Sequence, residues 1–203
     1  MANAEGGPAR SLHEAAANND AAAIAKSLGA GVNVDARDAQ GRTALLVATH
    51  ANSVDAAHVL IASGADVNAK DQIADTPYLY AGAEGRIEIL KMTLGAGANL
   101  KDTNRYGGTA LIPAAHHGHP DAVRILLEAG VAPDYVNKLG WTALLEAIIL
   151  GDGGPVHTEI VRLLVDGGAD VNIADKDGVT PLTHAKRRGY TAIAQILQAA
   201  HAR

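Results

Sequence analysis

A period of 33 residues runs through most of this chain, and it leaves few architectures open. Thr43, Thr76, Thr109 and Thr142 follow one another at intervals of 33, with Thr180 a further 38 along. Gly31, Gly64, Gly97, Gly130 and Gly168 keep the same spacings, 33 three times and then 38. Two unrelated markers on one period point to an array of repeated supersecondary units, each burying its apolar face only against its neighbours.

Within each period the residues keep a fixed order. A turn comes first, as in Asp38-Ala39-Gln40-Gly41, Asn137-Lys138-Leu139-Gly140 and Asp175-Lys176-Asp177-Gly178. Asp or Asn opens it and Gly supplies a positive φ. Thr-Ala-Leu or Thr-Pro-Leu follows, as in Thr43-Ala44-Leu45 and Thr180-Pro181-Leu182. There Thr is placed to cap a helix, and Pro fits its first turn. A short Ala-rich helix then runs to Gly85, Gly118, Gly151 or Gly189, and a second helix with paired aliphatics, such as Ile125-Leu126-Leu127, stops at the next Gly. Composition fits thin helices in close contact: 48% of residues are hydrophobic, yet there is no Phe, one Trp and five Tyr.

These residues resemble the ankyrin repeat family. Gly64-Ala65-Asp66-Val67-Asn68 and Gly168-Ala169-Asp170-Val171-Asn172 match that family's loop, Thr180-Pro181-Leu182 matches its helix start, and the similarity covers about residues 11–200. The resemblance implies an all-α solenoid of helix pairs with β-hairpin fingers, about six repeats including caps. The expected units are a cap at 11–37, then 38–70, 71–103, 104–136 and 137–174, and a cap at 175–203, in a single domain over 11–203 after a disordered tail at 1–10. Short length and Ala-rich sequence suggest a small stand-alone bacterial member of the family.

Three departures from the pattern stand out. Five extra residues fall in the fourth internal unit, within Asp152-Gly153-Gly154-Pro155-Val156-His157, where Gly and Pro predict a loop between the two helices, the second aligning from Ile160. Pro113 lies inside the third inner helix, where a missing N–H is tolerated only in the first turn. Ala74 replaces the turn glycine of the second unit, which predicts a less regular finger there.

Motifs for chemistry are sparse. Gly151-Asp152-Gly153-Gly154 has no following Lys-Ser/Thr and reads as a flexible loop rather than a phosphate loop. No Gly-x-Ser-x-Gly or His-Glu-x-x-His occurs, so no enzyme and no catalytic residue are predicted. His116-His117-Gly118-His119 is the best metal candidate, but adjacent helical side chains diverge by about 100°. No Cys or Glu lies nearby in sequence to complete a tetrahedral set. No metal and no cofactor are therefore expected. Glu146 and His184 share one repeat position that normally holds an apolar residue, and bracing of the stack is preferred to a site there. Lys186-Arg187-Arg188 reads as a solvated face, since the net charge is −5 and no aromatics interleave it. That balance argues against nucleic acid and anionic membrane as partners. No apolar run reaches the ~18–20 residues a membrane span needs, and no signal-peptide core is visible near the N-terminus, so a cytoplasmic protein is the default, while the resemblance implies a monomer.

The resemblance implies that partner contacts come from the fingers and the exposed side of the inner helices, on the concave face. In this register those positions include Asp75, Glu84, Arg105, Tyr106, His116, His117, Leu139, Trp141 and Leu150. Arg, Tyr and Trp are the types enriched at binding hot spots. Trp141, the lone Trp, falls on a finger and is expected to anchor a partner protein with Tyr106, beside an apolar patch of Leu139, Ile149 and Leu150. The function expected is a non-enzymatic scaffold for protein–protein interaction. A second reading is a small-ligand or metal-binding protein using a groove around His116, His117, Trp141, Glu146 and His184.

Overall fold

The computed structural model describes residues 8–202. Among them are twelve helices: α1 (Pro8–Ala17), α2 (Ala21–Gly29), α3 (Ala44–Ala51), α4 (Val54–Ala62), α5 (Pro77–Ala83), α6 (Ile87–Gly95), α7 (Leu111–His116), α8 (Pro120–Glu128), α9 (Ala143–Ile149), α10 (Pro155–Asp166), α11 (Pro181–Arg187) and α12 (Thr191–Ala199). They come two to each expected unit, and α1 with α2, α3 with α4, α7 with α8, α9 with α10 and α11 with α12 pack as pairs. Most of the tail expected at 1–10 lies outside the described residues, and its last part, from Pro8, opens α1.

The described residues group into two compact units. One runs through Ala81 and includes Arg86–Asn99; the other comprises Gly82–Gly85 and the chain from Leu100 onward. In the first, α1 packs on α3, and α2, α4 and α6 stack in order. In the second, the inner helices α7, α9 and α11 pack in series, as do the outer helices α8, α10 and α12. Leu12, Leu45, Leu46, Leu60 and Leu90 are wholly buried in the first unit, and Leu111, Leu126, Leu145 and Leu164 in the second. Each such side chain contributes about 1.5–3 kcal/mol by leaving water. Fully buried alanines between them, among them Ala48, Ala57, Ala115 and Ala147, let neighbouring helices approach closely.

The inner helices start where the Thr marker predicts. The hydroxyls of Thr43, Thr76, Thr142 and Thr180 accept from the amides of Leu46, Leu79, Leu145 and Thr183 at 3.0–3.3 Å. In those units the next amide along donates to the Thr carbonyl, as Glu146 does to Thr142 at 3.0 Å. Pro113 has no such amide. The Ile112 amide takes the Thr109 carbonyl instead, at 3.1 Å, and α7 begins one residue late, at Leu111. Pro113 thereby sits in the first turn, where it is tolerated. Thr109 Oγ1 is left buried without a hydrogen-bond partner.

The fingers differ in detail from a β-hairpin. Among the described residues there is no strand, and the one bridge outside helices joins Arg37 and Thr43. Each finger is instead a tight loop held by its first side chain. Asn137 Oδ1 accepts from the amides of Leu139 and Trp141, both at 3.0 Å, while the Asn137 amide donates to the Trp141 carbonyl at 3.0 Å. Asp71 does the same for Ile73 and Asp75 at 2.9 and 3.0 Å. The second finger is therefore as regular as the rest, contrary to the irregularity expected from Ala74. Ala74 adopts φ 65°, the left-handed conformation its glycine counterparts use.

The insertion also departs from expectation. Pro155, Val156 and His157 do not belong to the loop; they form an added first turn of α10, which reaches 12 residues against 9 in α8 and α12. Pro155 occupies the start of the helix, where its missing N–H has no partner to lose. The remaining loop is held in place: the Gly154 amide donates to Asp152 Oδ1 at 2.9 Å, and the Tyr190 hydroxyl to the Gly151 carbonyl at 3.0 Å. A Cβ on Gly153 would stand 2.3 Å from the Tyr190 ring, so this loop needs glycine for contact as well as for its φ of 70°.

Candidate functional site

The expected interaction residues fall at two ends of the inner helices. Arg105, Tyr106, Leu139 and Trp141 lie on the fingers that lead into α7 and α9, while Glu84, His117 and Leu150 lie just past the C-terminal ends of α5, α7 and α9. Leu139 and Leu150 thus flank α9, whose 7 residues separate them. At 1.5 Å rise per residue that is roughly 10 Å of helix. The single apolar patch expected of Leu139, Ile149 and Leu150 is divided accordingly. Asp75 holds, in the first unit, the register position that Trp141 holds in the second.

At the finger end the tips are exposed and apolar. Tyr106 is 54% exposed and Leu139 48%. They occupy one register position in consecutive fingers, and the first unit carries Ile73 at that same position, 49% exposed. Ile73 was legible from the period but lacks the aromatic or basic character that singles out hot spots. The two tips of the second unit are tied together: the Lys138 amide donates to the Tyr106 carbonyl and Lys138 Nζ to the Arg105 carbonyl, both at 3.0 Å. The Arg105 guanidinium carbon lies 4.9 Å from the Tyr106 ring centroid. Trp141 is only half-buried, and no ring pair joins it to Tyr106 among the described residues.

Behind the fingers sits a polar brace. Glu146, 6% exposed, accepts from Asn137 Nδ2 at 2.8 Å, and the equivalent His184 Nε2 lies 2.7 Å from Asp175 Oδ2. Each pairs with the first residue of its own finger, nine positions back, and not with the other. Burial raises the Glu146 carboxyl above its ordinary range, partly offset by the Asn137 hydrogen bond and the His117 charge. Burial also pushes Asp175 up, but the Val179 amide and His184 outweigh it and hold the carboxyl low. His116 Nδ1 approaches Glu146 Oε2 at 3.9 Å. Burial lowers the His116 pKa, and repulsion from His117 and His157 adds to this. The same relation, one repeat to the next across 30 positions, stacks His50 on Tyr80 in the first unit at 3.9 Å. The His116 side chain stays 37% exposed beside this brace. The groove expected around His116, His117, Trp141, Glu146 and His184 is divided among separate contacts, Glu146 and His184 each with its own finger and His117 with Glu84.

At the turn end, His117 Nδ1 faces the Ala83 carbonyl at 2.9 Å and Glu84 Oε1 at 3.3 Å. Glu84 is 33 positions from His117, the same place in the preceding repeat. His157, from the added turn of α10, reaches the His116 carbonyl at 3.0 Å and Asp152 Oδ1 at 2.9 Å. Lys186, Arg187 and Arg188 end α11 and are all exposed, which suits cations at a helix C-terminus. No helix among the described residues is long and apolar enough to cross a membrane.

Comparison with known proteins agrees with the repeat fold. The family model for ankyrin repeats in three copies matches residues 12–102, 78–175 and 135–203. The ankyrin repeat protein YahD of Escherichia coli (strain K12) is 51% identical over 57 residues, a stretch that spans 28% of either chain. An ankyrin repeat domain of Acinetobacter baumannii AYE superposes with a TM-score of 0.92 at 60% identity, covering 95% of this chain and 98% of that one. The ankyrin repeat protein EF0377 superposes with a TM-score of 0.89 at 43% identity, covering 97% and 98%.

Proposed function

The chain belongs to the ankyrin repeat family, and from that premise we propose that it is a non-enzymatic scaffold that recognises a partner protein through its fingers and inner helices. Proteins of this family are interaction modules in general; the particular face is our reading. The observation that carries it is the pair of consecutive fingertips, Tyr106 and Leu139, that expose large apolar side chains while a backbone hydrogen bond fixes their spacing. Apolar area held rigidly in water gives affinity at little ordering cost. Arg105 beside Tyr106 and the half-buried Trp141 add the residue types that dominate hot spots. Asp75 contributes from the first unit, and Glu84, His116, His117 and Leu150 supply flanking specificity. The chain works as a cytoplasmic monomer in this reading and performs no covalent chemistry.

The test exploits exposure. Tyr106→Ala with Leu139→Ala removes side chains that support no core, so far-UV circular dichroism and the melting midpoint should stay within error of the parent. Affinity capture from the native cell, quantified by mass spectrometry, should lose the specifically enriched partner. Retention of that partner by the double variant would place recognition elsewhere.

A further inference from the structure

The turn end of the second unit brings three potential metal ligands together. Glu84 follows α5, His117 follows α7, and His119 immediately precedes α8. One ring nitrogen from each histidine and one carboxylate oxygen of Glu84 lie within 4.8 Å of one another. In the chain sequence the carboxylate looks remote. The repeat period removes that distance, because stacking sets equivalent positions of successive units side by side. Gly85 completes the arrangement: a Cβ there would stand 2.7 Å from His119 Nδ1, so the absence of a side chain lets the imidazole lie against the turn that carries Glu84.

We propose that Glu84, His117 and His119 form a binding site for a divalent transition-metal ion of the zinc class. Two imidazoles and one carboxylate are a donor set that such ions take with a remaining position open to water. Two ligand atoms at about 2.0–2.1 Å from a tetrahedral centre stand about 3.3–3.4 Å apart. His117 Nδ1 and Glu84 Oε1 are already 3.3 Å apart. Glu84 and His119 are half-buried and His117 is exposed, which leaves the open position reachable from solvent.

His117 Nδ1 faces two acceptors, the Ala83 carbonyl and Glu84 Oε1, so without metal it carries the proton that bonds them. The ion takes that proton's place between nitrogen and carboxylate. On coordination that proton passes to Nε2, the other ring nitrogen. The competing account is a plain His117–Glu84 ion pair that binds no metal.

The experiment uses the full chain, free of any histidine tag and stripped with chelator. Zinc chloride is titrated calorimetrically at neutral pH, and cobalt(II) is followed by its visible absorption. One ion per chain is expected, with a cobalt band of low coordination number. His117→Ala and His119→Ala should each weaken zinc binding by more than the ~10–100-fold typical of losing an outer-shell partner. Glu84→Gln should weaken it similarly, and His58→Ala, an exposed histidine of the first unit, should leave it intact. Melting with chelator present checks that each variant folds. Absence of saturable heat in the parent, or undiminished binding in the folded His117→Ala/His119→Ala double variant, overturns the site and leaves the ion pair. Partner capture is not part of this readout, so either proposal can fail alone.

Discussion

At the scale of single residues, the chain shows where one side chain bears a cost that its repeat equivalents avoid. Ala74 adopts φ 65° in a finger whose hydrogen bonds match those of the other fingers. A left-handed Ala costs about 1–2 kcal/mol, and Gly loses about 0.5–1 kcal/mol through backbone entropy. Ala74→Gly should therefore stabilise the protein by roughly 0.5–1 kcal/mol, read as a higher urea midpoint with an unchanged slope. Glu146 bears a different cost, a buried carboxyl whose pKa is raised. A folded-state pKa above the unfolded one means that stability is lost as pH rises through the folded value. Gln at 146 keeps the acceptor for Asn137 Nδ2 and carries no charge. Glu146→Gln and the parent should melt alike near pH 4, and the variant should melt higher at pH 7 and above, where His116 is neutral. A gap independent of pH would deny the burial cost.

At the scale of elements, the start of α7 is the informative case. Pro113 withholds one amide, the Ile112 amide moves to the Thr109 carbonyl, and the Thr109 hydroxyl is left buried without a partner. Its counterpart Thr142 caps α9 at 3.2 Å. The same substitution at the two sites should differ in sign. Thr142→Val should cost about 1 kcal/mol by loss of a cap, while Thr109→Val should be neutral or stabilising because it removes an unsatisfied buried hydroxyl. Paired denaturation curves decide this, and equal losses at both positions would refute the account. The period and the Thr marker placed both helices from sequence. The late start of α7 was not legible, because it depends on which carbonyl the displaced amide finds once the turn is folded. The added turn of α10 was misread for a related reason: Gly and Pro mark an interruption, but only the folded chain shows that Pro155 begins a helix.

At the scale of the molecule, stability in a repeat array is a sum of unit and nearest-neighbour terms. In the second unit α11 and α12 rest on α9 and α10, which in turn rest on α7 and α8. Removing residues from 175 onward should lower the unfolding midpoint but leave helices α7–α10 protected in hydrogen exchange, since their own interface is untouched. Loss of protection throughout that unit would show cooperativity beyond nearest neighbours.

What the sequence determined by itself is the repeat. Thr and Gly on one 33-residue period mark caps and turns, and these follow from local backbone chemistry that a linear reading captures. The twelve helices, their pairing and the finger residues Tyr106, Leu139 and Trp141 were legible for that reason. Which side chains of different repeats meet is settled only in the folded stack. His116 reaches Glu146 as well as its neighbour His117, Glu146 and His184 each turn to their own finger, and Glu84 lies near His117 and His119. The physical reason is that stacking converts a separation of about one period into van der Waals distance, while rotamer and hydrogen-bond competition choose the partner. A period supplies the first of these and is silent on the second.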